Sequence, residues 1–202
     1  WSQMQSTYEQ LVEQQRSNET AAARVVGLVI ETRPDTITPD NLRMFRQLGC
    51  TKIQIGIQST RQEILDANKR QMYGFKIHSH LMVNLLGATP EADKQDFKTF
   101  VTDPGFLPDE IKLYPCALVA GTQLVQKYRE GAWQPYAKDE LVDVLVQDVL
   151  ATPSYVRISR MIRDISATDI LVGNKHTNLR QMVEQELTTV DVASHVQEIR
   201  FR

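Results

Sequence analysis

The sequence predicts an α/β fold in which parallel strands are covered by helices, either layered or curled into a barrel. Two observations carry this. Strand-like and helical patterns alternate from Arg24 to Tyr114 in the order strand, helix, strand, helix, strand, helix, strand, and such alternation places parallel strands inside a helical layer. The strand runs also end in polar residues: Glu31-Thr32-Arg33, Gln58-Ser59, His80 to Asn84, and Lys112 to Tyr114. In parallel α/β folds the working residues sit where strands end, so these four ends are expected to converge on one face as a site.

Each element has its own local reason. Residues 1–20 are rich in Gln and Glu, with Met4, Tyr8, Leu11 and Val12 at helical spacing, which predicts an amphipathic helix. Val25, Val26, Leu28, Val29 and Ile30 form a nearly continuous apolar run, the pattern of a strand buried on both faces. Pro34 then stops the ladder. Thr38-Pro39-Asp40 starts a helix, and Gly49 ends it after Leu42, Met44, Phe45 and Leu48. Strands follow at Lys52–Ile57, Phe75–Leu81 and Glu110–Tyr114, and helices at Arg61–Asn68 and Glu91–Phe100. The crossover around Gln71 is short for a parallel connection and predicts residues absent there. Beyond residue 115 the pattern changes to helices at 122–130, 138–150 and 176–186, a strand-like run from Ser154 to Arg163, and a strand start near His195.

The 202 residues carry 23 basic and 25 acidic side chains, a net charge of -2. A nucleic-acid surface must therefore be a local patch. The two cysteines, Cys50 and Cys116, lie far apart and outside any metal-ligand spacing. No disulfide framework and no metal ligand is expected, and a reducing, cytoplasmic compartment is the plain inference. No apolar run reaches membrane-spanning length.

Several residues admit both a chemical and a bland reading. Glu31 and Arg33 at a strand end suit a small polar ligand, or they pair with each other as a structural cap. Gln58 and Ser59 follow Gly56, which permits close backbone approach, while Ser59 alone reads as a helix cap. His80 is more often a hydrogen-bonded strand residue than a base. Lys112 and Tyr114 alternate with Ile111 and Leu113 and so share a face; a lysine turned inward needs an anion, whereas one at the mouth reaches solvent. Arg157, Arg160, Arg163, Lys175, His176 and Arg180 form the densest basic stretch, suited to phosphate or to a solvated face.

In order along the chain, Gly27-Leu28-Val29-Ile30-Glu31-Thr32-Arg33-Pro34-Asp35, Gly56-Ile57-Gln58-Ser59, His78-Ser79-His80-Leu81-Met82, Lys112-Leu113-Tyr114-Pro115 and Arg160-Met161-Ile162-Arg163-Asp164-Ile165 resemble the Elongator catalytic-subunit family. The likeness covers nearly the whole chain. It implies a partial (incomplete) parallel β/α barrel of radical SAM type with a C-terminal α+β extension. Residues 1–115 would be the C-terminal portion of that barrel. Residues 116–202 would be the extension leading toward an acetyltransferase domain absent from this chain.

The resemblance further implies carboxymethyl-type modification at carbon five of the transfer RNA wobble uridine, using S-adenosylmethionine radical chemistry, a [4Fe–4S] cluster with ligands outside this chain, and acetyl-CoA bound in the absent domain. Glu31, Arg33, Gln58, Ser59, His80 and Met82 would bind S-adenosylmethionine. Lys112 and Tyr114 would close the pocket as catalytic residues. Arg157, Arg160, Arg163, Lys175 and Arg180 would face the tRNA anticodon stem-loop. Elongator accessory subunits or a homodimer are the implied protein partners. Another radical SAM oxidoreductase stays open as an alternative, since Gly-Ile-Gln-Ser at a strand end also occurs in coproporphyrinogen-oxidase-like members; a non-catalytic tRNA-binding scaffold is the third reading.

Overall fold

The computed structural model describes residues 7–58, 74–161, 168–174 and 178–189. The helix expected at Arg61–Asn68, the crossover at Gln71 and the strand start at His195 lie outside these residues. Strands β1 (Val29–Thr32), β2 (Lys52–Gln58), β3 (Lys76–Val83), β4 (Glu110–Pro115) and β6 (Arg157–Arg160) form one sheet in the order β1-β2-β3-β4-β6. Every neighbouring pair is parallel. A short antiparallel ribbon joins β5 (Leu118–Val119) to β7 (Ile170–Val172). The parallel sheet with its helices is the expected α/β architecture, an open, incomplete barrel. β6 extends the same sheet, so pairing runs across the division drawn at residue 115.

The period of two along each strand divides the sheet into an apolar and a polar face. Ile53, Ile55, Ile57, Ile77, Leu81, Val83, Ile111, Leu113 and Ile158 are buried on the first. Against them pack α2 (Pro39–Gln47) with Leu42 and Phe45, α3 (Pro90–Thr102) with Phe97, Phe100 and Val101, α5 (Lys138–Ala151) with Leu141, Val144, Leu145 and Val149, and α6 (Leu179–Thr189) with Leu179, Val183 and Leu187. Thr38 caps α2 by accepting from the Asn41 N–H at 3.2 Å, with Pro39 in the first turn. Gly49, at φ 85°, ends that helix, its N–H donating to the Arg46 carbonyl, as the sequence predicts.

Two expectations need correction. The run from Arg24 was expected to be a strand buried on both faces. Pairing begins only at Val29, and Val25 and Val26 are 71% and 88% exposed. The reason is local. The Asn18 side-chain amide donates to the Val25 carbonyl and accepts from its N–H, so this backbone is satisfied without a strand partner. β1 is also the edge strand of the sheet. The helix expected over residues 1–20 is α1 (Tyr8–Thr20), residues 1–6 lying outside the description; it buries no residue. Its start is set by a reciprocal capping box between Thr7 and Gln10, and Gln15 ties it to the Gln47 carbonyl.

Beyond β4, α4 (Leu124–Arg129) leads into a turn that locks onto the end of β3. Asn84 adopts φ 62° and is buried. Its carbonyl accepts from Trp133 Nε1 at 2.8 Å, its side chain donates to the Gln134 carbonyl and accepts from the Tyr136 N–H, and its own N–H donates to Asp93. Asp93 also accepts from the Tyr136 hydroxyl. These bonds fix the segment before α5 to the sheet. Cys50 and Cys116 are not joined in a disulfide. Among the described residues, no helix is long and apolar enough to cross a membrane.

Asp148 on α5 is buried, and neither carboxyl oxygen has a hydrogen-bond partner among the described residues. Burial, reinforced by Asp93 and by Asp96 and only partly offset by Lys94, pushes its carboxyl well above the usual range. Such a group binds more protons in the folded than in the unfolded state, so it lowers stability as pH rises from the ordinary carboxylate value through the raised one. Asp148→Asn is expected to remove that loss and to melt a few degrees above wild type at neutral pH. Thermal melts across pH check this, and an unchanged pH slope would contradict it.

Candidate functional site

The polar face of the sheet carries the site. Parallel register aligns side chains of like parity in rows across the strands. Gly56, His80, Lys112 and Arg160 are partners in one row; Glu31, Gln54, His78, Glu110 and Arg157 form the row below. At the carboxyl ends of the strands these rows open into a cavity of about 810 Å³ lined by residues of all five strands. Glu31 and the Thr32–Asp35 turn come from β1, Gly56 and Gln58 from β2, His80 and Met82 from β3, Lys112 and Tyr114 from β4, and Arg160 from β6. The structure thus gathers the expected strand ends into one concavity.

The predicted residues differ in their surroundings. Arg33 pairs with Asp35 at 3.3 Å on the exposed rim, not with Glu31, and an exposed pair of this kind contributes little. The structural Glu31–Arg33 cap is therefore not formed. Gln58 holds a positive φ of 68° at a bulge in β2. A Cβ on Gly56 would stand 2.9 Å from the Gln58 amide nitrogen, so glycine leaves room for that side chain to fold back along the strand. His80 stands edge-on between His78 and Tyr114. Lys112 donates to Gln54 Oε1 at 3.1 Å. Arg160 lines the cavity, whereas Arg157 lies a row below and does not. Arg180 is half-buried, its guanidinium donating to Glu184 and to the Ile158 carbonyl, which ties α6 to β6. Ser59, Arg163, Lys175 and His176 lie outside the described residues.

Beneath the cavity is a polar layer that the sequence reading passed over. Lys52 Nζ pairs with Glu110 at 2.5 Å. Glu110 lies 3.9 Å from His78 Nε2, which is 3.1 Å from the Ser159 hydroxyl. The Ser159 hydroxyl also lies 3.2 Å from the Ile111 carbonyl, so it links His78 to the backbone of β4. His78 Nδ1 is buried without a hydrogen-bond partner among the described residues. Burial pushes His78 down to about 4, against the pull of Glu110, and the nearby Lys112 and Lys52 charges add to the depression. Burial opposes ionisation of Glu110 too, but the Lys52 hydrogen bond and the surrounding charges outweigh it and hold that carboxyl below its ordinary value. The signal for this layer was available: Lys52, Gln54 and Gly56, His78 and His80, and Glu110 and Lys112 keep the same parity along their strands as the cavity residues.

Among the described residues, no group of three or more His, Cys, Asp or Glu is placed to hold a metal ion. The cavity instead presents opposite charges. The Glu31 carboxylate has no hydrogen-bond or ion-pair partner among the described residues, and the Lys112 ammonium has a neutral amide partner in place of a carboxylate. Such a pair suits a ligand that carries both charges.

Known proteins resemble this chain in sequence and in fold. Residues 108–189 match the Radical_SAM C-terminal domain family. A tRNA uridine(34) acetyltransferase of Methanocaldococcus infernus is 38% identical over 187 residues, covering 86% of this chain and 35% of that protein. Elongator complex protein 3 of Danio rerio is 30% identical over 210 residues, covering 97% of this chain and 38% of that protein. The solved structure of the archaeal Methanocaldococcus infernus Elp3 with an N-terminal deletion (1-46) superposes with a TM-score of 0.81 at 36% identity, covering 89% of this chain and 45% of that one. The chain thus spans a little over a third of the length of these two curated relatives.

The buried His78 makes the layer beneath the cavity acid-sensitive. Its folded value of about 4 lies below the ordinary 6.5, so the unfolded chain binds the extra proton first. Stability present above 6.5 is lost as pH falls from 6.5 toward about 4, by up to about 3 kcal/mol. His78→Gln is expected to flatten this acid limb in urea titrations at stepped pH. An acid limb as steep as that of wild type would show that His78 is not its source.

Proposed function

The chain belongs to the family of the Elongator catalytic subunit, as part of an Elp3 protein, and on that premise we propose that it forms the cofactor- and substrate-facing wall of an enzyme that modifies carbon five of the transfer RNA wobble uridine. The observation that carries the reading is the pairing of Glu31 and Lys112, opposite charges without a salt-bridge partner among the described residues, in one cavity at the strand ends.

S-adenosylmethionine fits these donors. Its amino-acid end bears an ammonium and a carboxylate, and its ribose bears hydroxyls. Glu31 accepts hydrogen bonds from the ammonium or the ribose. Lys112 and the rim cations take the carboxylate. Gln58 contributes a rotatable amide freed by Gly56, with Ser59 following it in sequence. His80 and Met82 supply an aromatic and a thioether flank for the adenine. Together with a reduced iron–sulfur cluster, S-adenosylmethionine supplies radical chemistry that protein side chains do not.

The residues of this chain do not fit the cluster itself. Cys50 is buried in the core, and Cys116 stands apart at the end of β4, whereas a cluster needs several thiolates brought together. Its ligands, and the acetyl-CoA site, belong to other parts of the protein. Residues 116–202 are the extension toward the acetyltransferase domain.

Tyr114 lies on the same strand face as Lys112, two residues on, so its phenol and the ammonium meet the same ligand. These two are the groups proposed to orient the reacting acetyl or uridine moiety. Arg160 at the cavity rim leads the tRNA-facing set, with Arg163 and Lys175 beyond it; Arg157 contributes away from the cavity, and Arg180 acts by anchoring α6. A single-stranded anticodon loop presents its wobble base splayed out, which suits a cavity of this kind. The reading carries a cytoplasmic location and, from the name of the Danio rerio relative, membership of an Elongator complex.

The test uses the intact protein with its iron–sulfur cluster restored, and mass spectrometry of the wobble uridine. Glu31→Gln is expected to weaken S-adenosylmethionine binding by about tenfold or more, the worth of one charge-assisted hydrogen bond. Lys112→Met is expected to abolish most modification while the protein still melts cooperatively. Wild-type binding and turnover in both variants would overturn the reading.

A further inference from the structure

Two side-chain bridges span the sheet between β2 and β4, and they differ in a way that bears on Lys112. β2 and β4 are separated by β3, which puts them roughly 10 Å apart. Contact therefore requires two long side chains to lean toward each other over the intervening strand. In the lower bridge, Lys52 of β2 meets Glu110 of β4 at 2.5 Å, and the charges cancel. In the upper bridge the cation has changed strand: Lys112 of β4 meets Gln54 of β2 at 3.1 Å. The partner is now a neutral amide. The lower bridge lies under the floor, beside the buried His78. The upper one bears the lysine that lines the cavity.

We propose that Gln54 is a positioning residue for Lys112, holding the ammonium in a fixed direction toward the cavity while leaving its charge for the ligand. This deepens the functional reading above and rests on Lys112 facing the ligand. The choice of an amide matters physically. A carboxylate at Gln54 would form the same bridge, but as an ion pair, and would compete with an anionic ligand group for the lysine. An apolar residue would leave the four-carbon stem of Lys112 free to sample rotamers, at an entropic cost on each binding event. An amide oxygen accepts one ammonium hydrogen and leaves the others for a ligand. The layer below narrows the alternatives: His78 is held neutral there, and Glu110 is engaged by Lys52, so neither offers Lys112 a free counter-charge.

The experiment measures wobble-uridine modification by the intact, cluster-loaded protein, as kcat/KM, in wild type, Lys112→Met, Gln54→Glu and Gln54→Leu, with melting temperatures for all four. The expected result is a near-complete loss in Lys112→Met and an unchanged melting temperature in the isosteric Gln54→Glu. Gln54→Glu is nevertheless expected to fall by about tenfold or more, and Gln54→Leu by less, because its lysine keeps its charge. A purely structural glutamine predicts the reverse order, with Gln54→Leu worse and each loss matched by a fall in melting temperature; that order overturns the proposal. Wild-type turnover in Gln54→Glu beside an inactive Lys112→Met also overturns it. Wild-type turnover in Lys112→Met overturns instead the reading of the cavity on which it rests.

Discussion

The two-residue period of the central strands is the constraint on which the rest depends. On β2, β3 and β4, nearly every residue of one parity is apolar and nearly every residue of the other is polar. Ile53, Ile55 and Ile57, Ile77, Leu81 and Val83, and Ile111 and Leu113 are buried under the helices. Lys52, Gln54, His78, His80, Glu110, Lys112 and Tyr114 share the other face. A slip of one residue in register would exchange these faces, burying charges against the helices and turning isoleucines into the cavity. The core and the candidate site are therefore fixed by one decision, and what stabilises the sheet also aligns the cavity-facing groups in rows.

Placing charge on a sheet face has consequences that the structure meets layer by layer. At the bottom, Lys52 and Glu110 neutralise each other, and His78 stays uncharged. In the cavity, Glu31 and Lys112 have no opposite charge bonded to them among the described residues. Ion pairing below and a half-buried lysine without a counter-charge in the cavity is the arrangement expected of a ligand site rather than of a structural network, because a partly desolvated charge is costly unless something binds it, whereas the exposed Glu31 stays hydrated until a ligand reaches it. Asp148 solves the same problem differently: with no cation bonded to it among the described residues, it is driven toward its neutral form.

Much of this was legible in the sequence. The Thr38 cap, the Gly49 stop and the β-branched runs located α2 and the strands through local chemistry, and the polar strand ends predicted the cavity residues from Glu31 to Tyr114. What was not legible depended on tertiary context. Nothing in the run Val25–Ile30 announces that Asn18 will satisfy the Val25 backbone or that β1 will stand at the edge of the sheet. The stripe on α1 is too sparse to bury a face. Arg180 reads as part of a basic patch until α6 is seen folding it onto Glu184 and Ile158. The floor of Gln54, His78 and Glu110 was visible in principle, had the alternation that joined Lys112 to Tyr114 been followed down every strand.

The central claim is that the cavity reads a ligand bearing both charges, with cations placed for its carboxylate. The most direct test is the affinity of the intact protein, with its iron–sulfur centre restored, for S-adenosylmethionine and for its decarboxylated analogue, measured side by side by calorimetry. The account predicts that loss of the carboxylate weakens binding by about tenfold or more. Equal affinity for the two compounds would contradict it, leaving the cavity charges without the ligand assigned to them.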